Sequence, residues 1–278
     1  MFHQLGWIDG QWGKTEELKI PINDSGLNLG DGIFETILIF NGQPQLLKEH
    51  LTRWKNSADL LGMASPPNHE ELESMINEAI ERSSLQRSNG ALRINWTRGA
   101  RQKRRIDVSA NNISPSNHRF WLEICSNEPC FHAVSAIISK YEQRNAKSRL
   151  SQCKLLNYVQ SIQAMREANR AGCDEALILS TNGYICCGST ANLIIKRKNQ
   201  WITPNLKSGC LPGIMRQQGI NSGLIKELEI ERQPQGDDQW LLINSLSCKP
   251  IRRLNNIDLP IYGEAEKLWL KLLNLESH

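Results

Sequence analysis

A strand-forming run followed directly by a long amphipathic segment limits the folds that this sequence can adopt. Ile33 to Phe40 is rich in β-branched and aromatic residues and ends at Asn41-Gly42, a strong two-residue hairpin signal. After this turn, apolar residues recur at three- and four-residue spacing, which predicts a helix with one buried stripe. The residues of that stripe are Leu46, Leu47, His50, Leu51, Trp54, Ala58 and Leu61. The combination predicts an α+β fold.

The remainder of the chain predicts two domains. A hairpin at Gly6 to Trp12, a second helix near residues 70–82 and a strand at Ala91 to Thr97 complete the first part. The polar loop Asn111 to His118 then separates the two parts. The sequence therefore predicts a smaller N-terminal α/β domain over residues 1–118 and a larger C-terminal domain over residues 119–278. We expect the larger domain to be built on β-strands with helices.

Within the second part, a helix is predicted from Leu155 to Ala171, with Gly172 as its stop. Strands are predicted on either side of it. These are 120–125, 133–139, 176–180, 183–187, 193–196 and 200–203. A Gly/Pro-rich segment, Ser208 to Gly213, is expected to open a further helix.

The charge of the chain excludes some functions. There are 33 Lys and Arg residues against 29 Asp and Glu residues, a net charge of +4, which is too small to indicate a nucleic-acid binder. The dense basic run Arg101 to Arg105 is expected to be a solvated loop. Met1 to Gly13 does not resemble a targeting segment, and Ala176 to Ile195 is uncharged but too polar for a membrane helix. We expect a cytoplasmic protein with no membrane partner.

Several common catalytic and metal motifs are missing from the sequence. The eight cysteines lack paired CxxC spacing, so we expect reduced thiols and no metal site. The segment Gly30 to Glu35 starts as a dinucleotide loop does, but its third glycine is replaced and a strand follows. Walker A, HExxH and GxSxG motifs do not occur.

Two features nevertheless suggest chemistry. Lys154 has apolar neighbours in the sequence, and desolvation favours the neutral amine that forms a Schiff base, although a surface lysine also fits. In Leu211 to Arg216, Pro212 is tolerated in a first helical turn, and Gly213, Ile214 and Met215 would present backbone N–H groups. Such a helix N-terminus binds phosphate, although an ordinary capped turn is the alternative.

Taken in order along the chain, nine segments resemble the class IV aminotransferase family. The resemblance covers roughly residues 7–253. The segments are 23–36, 50–53, 93–99, 154–158, 173–177, 192–193, 203–204, 213–216 and 244–245. It implies the fold-type IV architecture, bound pyridoxal 5′-phosphate, a small-molecule substrate and a homodimer with sites between the domains.

The resemblance also implies roles for individual residues. Lys154 matches the lysine that binds the cofactor covalently and moves the substrate proton, and Arg53 matches an arginine that binds phosphate. Tyr158 is a candidate partner for the cofactor phenolate oxygen, and a core tyrosine is the alternative. Further matches are to phosphate donors, and these are Ile214, Met215, Asn244 and Ser245.

One position departs from the family pattern. Five residues before Asn192, where the family has a glutamate against the pyridine nitrogen, this chain has Cys187. A carboxylate keeps that nitrogen protonated and so strengthens the cofactor as an electron sink, which a neutral thiol does not do. Cys186 is adjacent, but strand alternation is expected to turn the two thiols to opposite faces. Elimination should tolerate a weaker sink better than transamination does.

Within the family, the lyase that converts 4-amino-4-deoxychorismate to 4-aminobenzoate and pyruvate is the closest in motif, notably at 34–36, 154–158 and 213–217. Its substrate carries two carboxylates, for which Arg93 and Arg98 are candidate ligands, although strand arginines are as often structural. A branched-chain or D-amino-acid aminotransferase and an inactive cofactor-binding paralogue are the alternatives.

Overall fold

The computed structural model describes residues 4–100 and 114–275, so the basic run Arg101 to Arg105 lies outside the described residues. The chain divides into two compact units. Unit 1 contains Met1–Glu128 and Cys153–Asn157, and unit 2 contains Pro129–Gln152 and Tyr158–His278. This division differs from the sequence-based boundary after His118, because the strand Arg119–Ser126 pairs within the sheet of unit 1.

Unit 1 contains an antiparallel sheet and helices. In the described residues this sheet has the strand order β2-β1-β6-β5-β3-β4. Its elements are β1 (Leu5–Ile8), β2 (Gln11–Lys14), α1 (Ser25–Leu29), β3 (Gly32–Phe40), β4 (Gln43–Pro44), α2 (Leu47–Leu60), α3 (His69–Arg82), β5 (Gly90–Thr97) and β6 (Arg119–Ser126). The hairpin after β3 turns at Asn41 and Gly42, both with positive φ, as the dipeptide predicts.

One face of this sheet forms the core of unit 1. Ile33, Ile37 and Ile39 of β3 are fully buried and cluster with Trp54 and Ala58 of α2. Because side chains alternate along a strand, Phe34 and its neighbours two residues apart lie on the other face. Glu35 therefore belongs to the core face, where it is 1% exposed.

Unit 2 contains the second sheet of the described residues, ordered β12-β11-β10-β13-β14-β7-β8-β9, with β15 paired to β14. Its elements are β7 (Val134–Arg144), α4 (Val159–Arg170), β8 (Glu175–Ser180), β9 (Ile185–Gly188), β10 (Asn192–Arg197), β11 (Gln200–Pro204), α5 (Ile214–Asn221), β12 (Ile225–Leu228), β13 (Gln239–Asn244), β14 (Ser247–Leu254), β15 (Ile257–Asp258) and α6 (Ala265–Leu272). The α+β class predicted from the sequence is confirmed.

The sequence-based start of the helix at Leu155 is wrong. Helix α4 begins at Val159, and Tyr158 is its N-cap residue. The preceding residues are extended and bridge to β3, with Ile33 opposite Leu155. The N–H of Phe34 donates to the carbonyl of Lys154, and the N–H of Leu156 donates to the carbonyl of Gly32, each at 3.0 Å. These two hydrogen bonds pair backbone groups of the segment with the edge of β3. The segment therefore does not need helical hydrogen bonds to satisfy those groups.

No helix within residues 4–100 and 114–275 is long and apolar enough to span a bilayer.

Candidate functional site

The edge of β3 positions Lys154 in unit 1. Leu155 contacts the hydrophobic core, so alternation turns the side chain of Lys154 to the face of Phe34. Its Nζ lies 4.4 Å from the centroid of the Phe34 ring, and the residue is half-buried. A strand-held amine against an aromatic face has a restricted position, as a residue that bonds to a cofactor requires.

Arg93 lies against the same aromatic ring. It is opposite Thr36 in the ladder between β3 and β5, and its guanidinium carbon is 3.7 Å from the Phe34 centroid. Its Nε donates to Asn95 Oδ1 at 2.9 Å and is 3.3 Å from Glu123 Oε1. The structure therefore brings Arg93 and Lys154 to one ring, where two cations favour an anionic group.

Arg53 belongs to a buried ionic cluster with Glu35 and His50. Its Nε donates to Glu35 Oε1 at 2.8 Å and its Nη2 to Oε2 at 2.5 Å, a side-on pairing. His50 Nδ1 is 2.7 Å from Glu35 Oε2, and the side chains of His50 and Glu35 are each 1% exposed. His50 and Arg53 are three residues apart on α2, so both reach β3 from one helix face.

The pKa values of Glu35 and His50 are both lowered. Burial raises the pKa of the Glu35 carboxyl, but the charge of Arg53 and hydrogen bonds from His50 and Arg53 outweigh it and lower the pKa to about 2. Burial also lowers the pKa of His50, against the opposing effect of Glu35. Since an ionised carboxylate only accepts, a neutral His50 carries its proton on Nδ1 and donates to Glu35.

Arg98 is held by groups of the fold. Its Nε donates to Asp31 Oδ2 at 3.0 Å, and its Nη atoms donate to the carbonyls of Gly62 and Leu61 at 2.8 and 2.7 Å. These carbonyls follow the last turn of α2, so the guanidinium neutralises the end of that helix. The contacts favour the structural alternative for Arg98 over substrate binding.

In unit 2, α5 presents its N-terminus as predicted, with one correction. The helix begins at Ile214 with Gly213 as N-cap, so Pro212 precedes the helix. The N–H of Gly213 donates to the carbonyl of Leu211 at 2.8 Å, whereas no side chain caps the helix. The first-turn N–H groups of Ile214 and Met215 are therefore not satisfied by a cap, which is the arrangement that binds anions.

Asn192 fixes this helix start. Its Nδ2 donates to the carbonyl of Leu211 at 2.9 Å, and a Cβ placed on Gly213 would lie 1.8 Å from its Oδ1. Only glycine permits this approach of backbone to amide. Asn192 begins β10, opposite Ile243 of β13, so the helix start is held at the end of two strands.

The turn that follows β13 carries Asn244 and Ser245. Asn244 Nδ2 donates to the carbonyl of Thr190 at 3.4 Å, and its Oδ1 accepts from the N–H of Leu246 at 2.9 Å. Ser245 is half-buried in the same turn. Since Thr190 precedes Asn192 by two residues, these groups lie at the same end of the sheet as the start of α5.

Cys187 lies in β9 next to an irregularity that overturns the expected alternation. The register with β8 pairs Ile178 with Cys187 and Leu179 with Ile185, so Cys186 is an extra residue. Cys186 and Cys187 are both buried and belong to one apolar cluster. The two side chains are therefore not directed to opposite faces.

This cluster also contains Cys210. A hydrogen bond with Cys186 lowers the pKa of the Cys210 thiol to about 7, burial acts against it, and the charge of Arg216 acts with it. Hydrogen bonds with Cys187 and Cys210 raise the pKa of Cys186. Arg216 is fully buried and donates to the carbonyl of Pro204 and to Glu227. All eight cysteines are free thiols.

Tyr158 is the N-cap residue of α4, whereas the expected helix from Leu155 to Ala171 would place it inside the first turn. Because Lys154 is in an extended segment, Tyr158 does not follow it by one helical turn. Tyr158 is half-buried and belongs to unit 2, whereas Lys154 belongs to unit 1. Its relation to the cofactor stays a prediction.

Each unit, taken by itself, offers one group that a cofactor with a phosphate and an aldehyde requires. The uncapped start of α5 offers backbone donors to a phosphate. The half-buried amine of Lys154 is the group that an aldehyde requires.

Comparison with known proteins identifies the family. Residues 32–254 match the model of the amino-transferase class IV family, so the chain belongs to that family. The resemblance found in the sequence is confirmed. An Arabidopsis thaliana protein named branched-chain-amino-acid aminotransferase-like protein 2 is 28% identical over 225 residues, which cover 76% of this chain and 38% of that protein. The chain thus spans less than half of that relative.

A second relative has a different name. A Schizosaccharomyces pombe protein, provisionally named aminodeoxychorismate lyase, is 28% identical over 228 residues, covering 79% of this chain and 88% of that protein. Among solved structures, a hypothetical aminotransferase from Mycobacterium tuberculosis in its PLP-bound form has a TM-score of 0.80 at 20% identity. That alignment covers 97% of each chain. The fold-type IV architecture is thereby confirmed.

Glu35, His50 and Phe34 are functional candidates that the structure adds to those predicted from the sequence. Glu35 is a lone carboxylate within the apolar run of β3, and His50 interrupts the apolar stripe of α2. Charged or polar residues at buried positions are expected to pair, and that signal was available. The sequence did not indicate that Arg53 pairs with Glu35 and so belongs to the same buried cluster as His50.

Proposed function

We propose that this chain is a pyridoxal-phosphate-dependent lyase that converts 4-amino-4-deoxychorismate to 4-aminobenzoate and pyruvate. Membership of the class IV family supports an enzyme with pyridoxal 5′-phosphate as its cofactor, as does the PLP-bound neighbour. The choice of lyase over aminotransferase rests on Cys187, a buried thiol at the position where the family resemblance implies a glutamate. Lyase and aminotransferase names both occur among the relatives.

Cys187 favours elimination because of what each reaction demands of the site. Bound pyridoxal phosphate supplies a carbonyl that bonds to amines and a ring that withdraws electrons. A thiol is a weak hydrogen-bonding group, so it stabilises a protonated ring nitrogen less than a carboxylate does. In the lyase reaction the departing enolpyruvyl group takes up the electrons and the substrate ring becomes aromatic. That reaction therefore tolerates a weaker electron sink.

The proposal assigns distinct tasks to residues of this chain. Lys154 holds the cofactor through Nζ and then removes the proton from the ring carbon that bears the substrate amine. Arg93, against the same Phe34 ring, binds a substrate carboxylate. The N–H groups of Ile214 and Met215 donate to the phosphate. Arg53, Asn244 and Ser245 are proposed as further phosphate ligands, and the chain is proposed to act as a homodimer.

The test is release of 4-aminobenzoate, followed by its fluorescence, when the purified protein with pyridoxal phosphate receives freshly generated aminodeoxychorismate. We expect release that is abolished by Lys154→Ala together with the visible absorption of lysine-bound cofactor. Lys140→Ala is the matched control, since Lys140 is exposed on β7. An intact absorption band without release would contradict the lyase assignment.

In that event, the aminotransferase alternative predicts that amino acids convert the bound cofactor to its amine form. The curated relatives with aminotransferase names favour it. Absence of both activities in a protein that binds the cofactor would support the inactive paralogue.

A further inference from the structure

Glu35 is a buried charge on a face of β3 that is otherwise apolar. Its neighbours on that face, Ile33 and Ile37, are fully buried, and Glu35 is 1% exposed. Burying a carboxylate costs free energy that pairing recovers only in part, and an apolar residue would often serve stability equally well. The chain nevertheless has a carboxylate here, with Arg53 and His50 as its partners. This cost suggests a purpose other than stability.

The geometry of the cluster shows what Glu35 achieves. Its two oxygens accept from Nε and Nη2 of Arg53, so the guanidinium plane and the direction of its Nη1 end are fixed. His50 Nδ1 contacts the oxygen that also receives Nη2, at 2.7 Å, and so restrains the carboxylate. A flexible arginine side chain is thereby oriented before any ligand binds.

We propose that Glu35 and His50 are positioning residues for the cofactor phosphate, with Glu35 orienting the guanidinium of Arg53 and His50 orienting Glu35. This inference rests on the proposed function, which assigns Arg53 to that phosphate. Glu35 and His50 act through Arg53 and need not contact the cofactor themselves. Their contribution should therefore depend on the presence of a phosphate in the ligand.

The experiment compares two ligands that differ only in that group. Binding of pyridoxal 5′-phosphate and of pyridoxal, which lacks the phosphate, is measured by absorbance titration for the wild type and Glu35→Gln. In Glu35→Gln, a side-chain NH₂ group replaces one carboxylate oxygen, so a donor faces a donor of the Arg53 guanidinium. We expect affinity for pyridoxal phosphate to fall at least about tenfold. Affinity for pyridoxal should stay within about twofold, since no phosphate contact is lost.

Asp238→Asn in unit 2 is the matched control. Asp238 is 1% exposed and pairs side-on with Arg197, with Nε to Oδ1 at 2.9 Å and Nη2 to Oδ2 at 2.7 Å. The substitution Asp238→Asn breaks a side-on pair of carboxylate and guanidinium with the same geometry. It therefore measures the effect of destabilisation alone. We expect it to leave the ratio of the two affinities unchanged.

His50 provides a second and milder variant. His50→Asn keeps an N–H donor near the position of Nδ1 and should retain most of the affinity for pyridoxal phosphate. His50→Leu has no such donor and should lose affinity for pyridoxal phosphate but not for pyridoxal. If Glu35→Gln does not fold, Glu35→Asp carries the test, because it keeps the charge and withdraws it by one methylene.

The outcomes distinguish the two proposals. A wild type that binds no pyridoxal phosphate overturns the proposed function. A wild type that binds it, with variants that weaken both ligands equally or neither, overturns the positioning role. Tighter binding of pyridoxal phosphate by Glu35→Gln would show that the carboxylate acts only by offsetting the charge of Arg53, and would also overturn it.

Discussion

Cys187 is a single residue with a large expected effect on the reaction. It is buried in β9, in one cluster with Cys186 and Cys210. The family resemblance implies a glutamate at this position, and we propose that this chain therefore presents a thiol instead of a carboxylate to the cofactor ring. Because electron withdrawal by the cofactor governs which products form, the consequence should be seen in product ratios more than in binding.

We predict that Cys187→Glu raises transamination relative to elimination by at least about tenfold, a change equivalent to about 1.4 kcal/mol in relative barrier height. The measurement is the ratio of amine-form cofactor to 4-aminobenzoate in one reaction mixture. Cys187→Ser, which stays uncharged, is the control and should leave the ratio unchanged. An unaltered ratio in Cys187→Glu would show that this side chain does not influence the cofactor ring.

Glu35 predicts a pH dependence of stability. Its folded-state pKa, about 2, lies below the ordinary value of 4.5. Its stabilising contribution is therefore complete above about pH 4.5 and is lost as the pH falls toward 2. The full contribution is on the order of a few kcal/mol.

Urea unfolding at pH 5 and pH 3 tests this expectation. The wild type should lose more free energy of unfolding between these pH values than Glu35→Gln, which has no carboxyl to protonate at this position. Equal losses in the two proteins would contradict the assignment of a depressed pKa to Glu35.

At the scale of elements, the sequence predicted what local periodicity encodes. The stripe of α2, the hairpin at Asn41-Gly42 and the helix after Gly213 all follow from residues within one or two turns of each other. The sequence-based expectations were wrong where contacts between residues far apart in the chain determine the local structure. The segment around Lys154 bridges to the edge of β3 and is not helical, and no local pattern records that pairing.

The candidate site shows the same division. The helix N-terminus at Ile214 and Met215 could be found from local sequence because its Pro-Gly start is a local signal. Cys186 and Cys187 share one cluster because β9 has a register shift against β8, and this depends on the partner strand. The pairing of Arg53 with Glu35 joins a helix to a strand and likewise has no local signature.

Gly213 allows the start of α5 to be tested as an element. In Gly213→Ala the new Cβ would lie 1.8 Å from Asn192 Oδ1, so the helix start or the amide must move. We predict a loss of about 1–3 kcal/mol in stability and weaker binding of pyridoxal phosphate. Thermal unfolding and cofactor titration are the measurements.

Gly263→Ala is the control for this substitution, since a Cβ at Gly263 meets nothing within 4 Å. The double variant Gly213→Ala with Asn192→Ala removes the clash and should recover part of the affinity. Unaltered binding in the single variant would show that the α5 start does not contact the phosphate.

At the scale of the whole molecule, family membership covers most of the chain, whereas the reaction depends on a few positions. Residues 32–254 match the family model, and relatives with the same fold carry lyase and aminotransferase names. Family membership therefore defines the class of enzyme, and Cys187 and Arg93 carry the proposed choice of substrate and outcome.

The homodimer is a whole-molecule prediction that the apolar surface of unit 1 allows to be tested. Ile22, Leu27 and Leu29 are 87%, 63% and 48% exposed, and the Nδ2 of Asn28 donates to the carbonyl of Ile22. Exposed apolar clusters often mark interfaces. We expect sedimentation equilibrium to give twice the chain mass of 31.6 kDa and Leu27→Glu to give the monomer. Leu228→Glu in unit 2, also at an exposed leucine, should stay dimeric.

The extended segment around Lys154 has a consequence for how the protein is made. Residues 153–157 belong to unit 1, although the chain on both sides of them belongs to unit 2. During synthesis, the edge of β3 at Gly32 to Phe34 therefore waits for these residues to leave the ribosome before its backbone bonds can form. An exposed strand edge on a nascent chain is a template for wrong pairing. Ribosome-bound chains that stop before residue 153 should therefore be more sensitive to protease in unit 1 than chains that have passed residue 157.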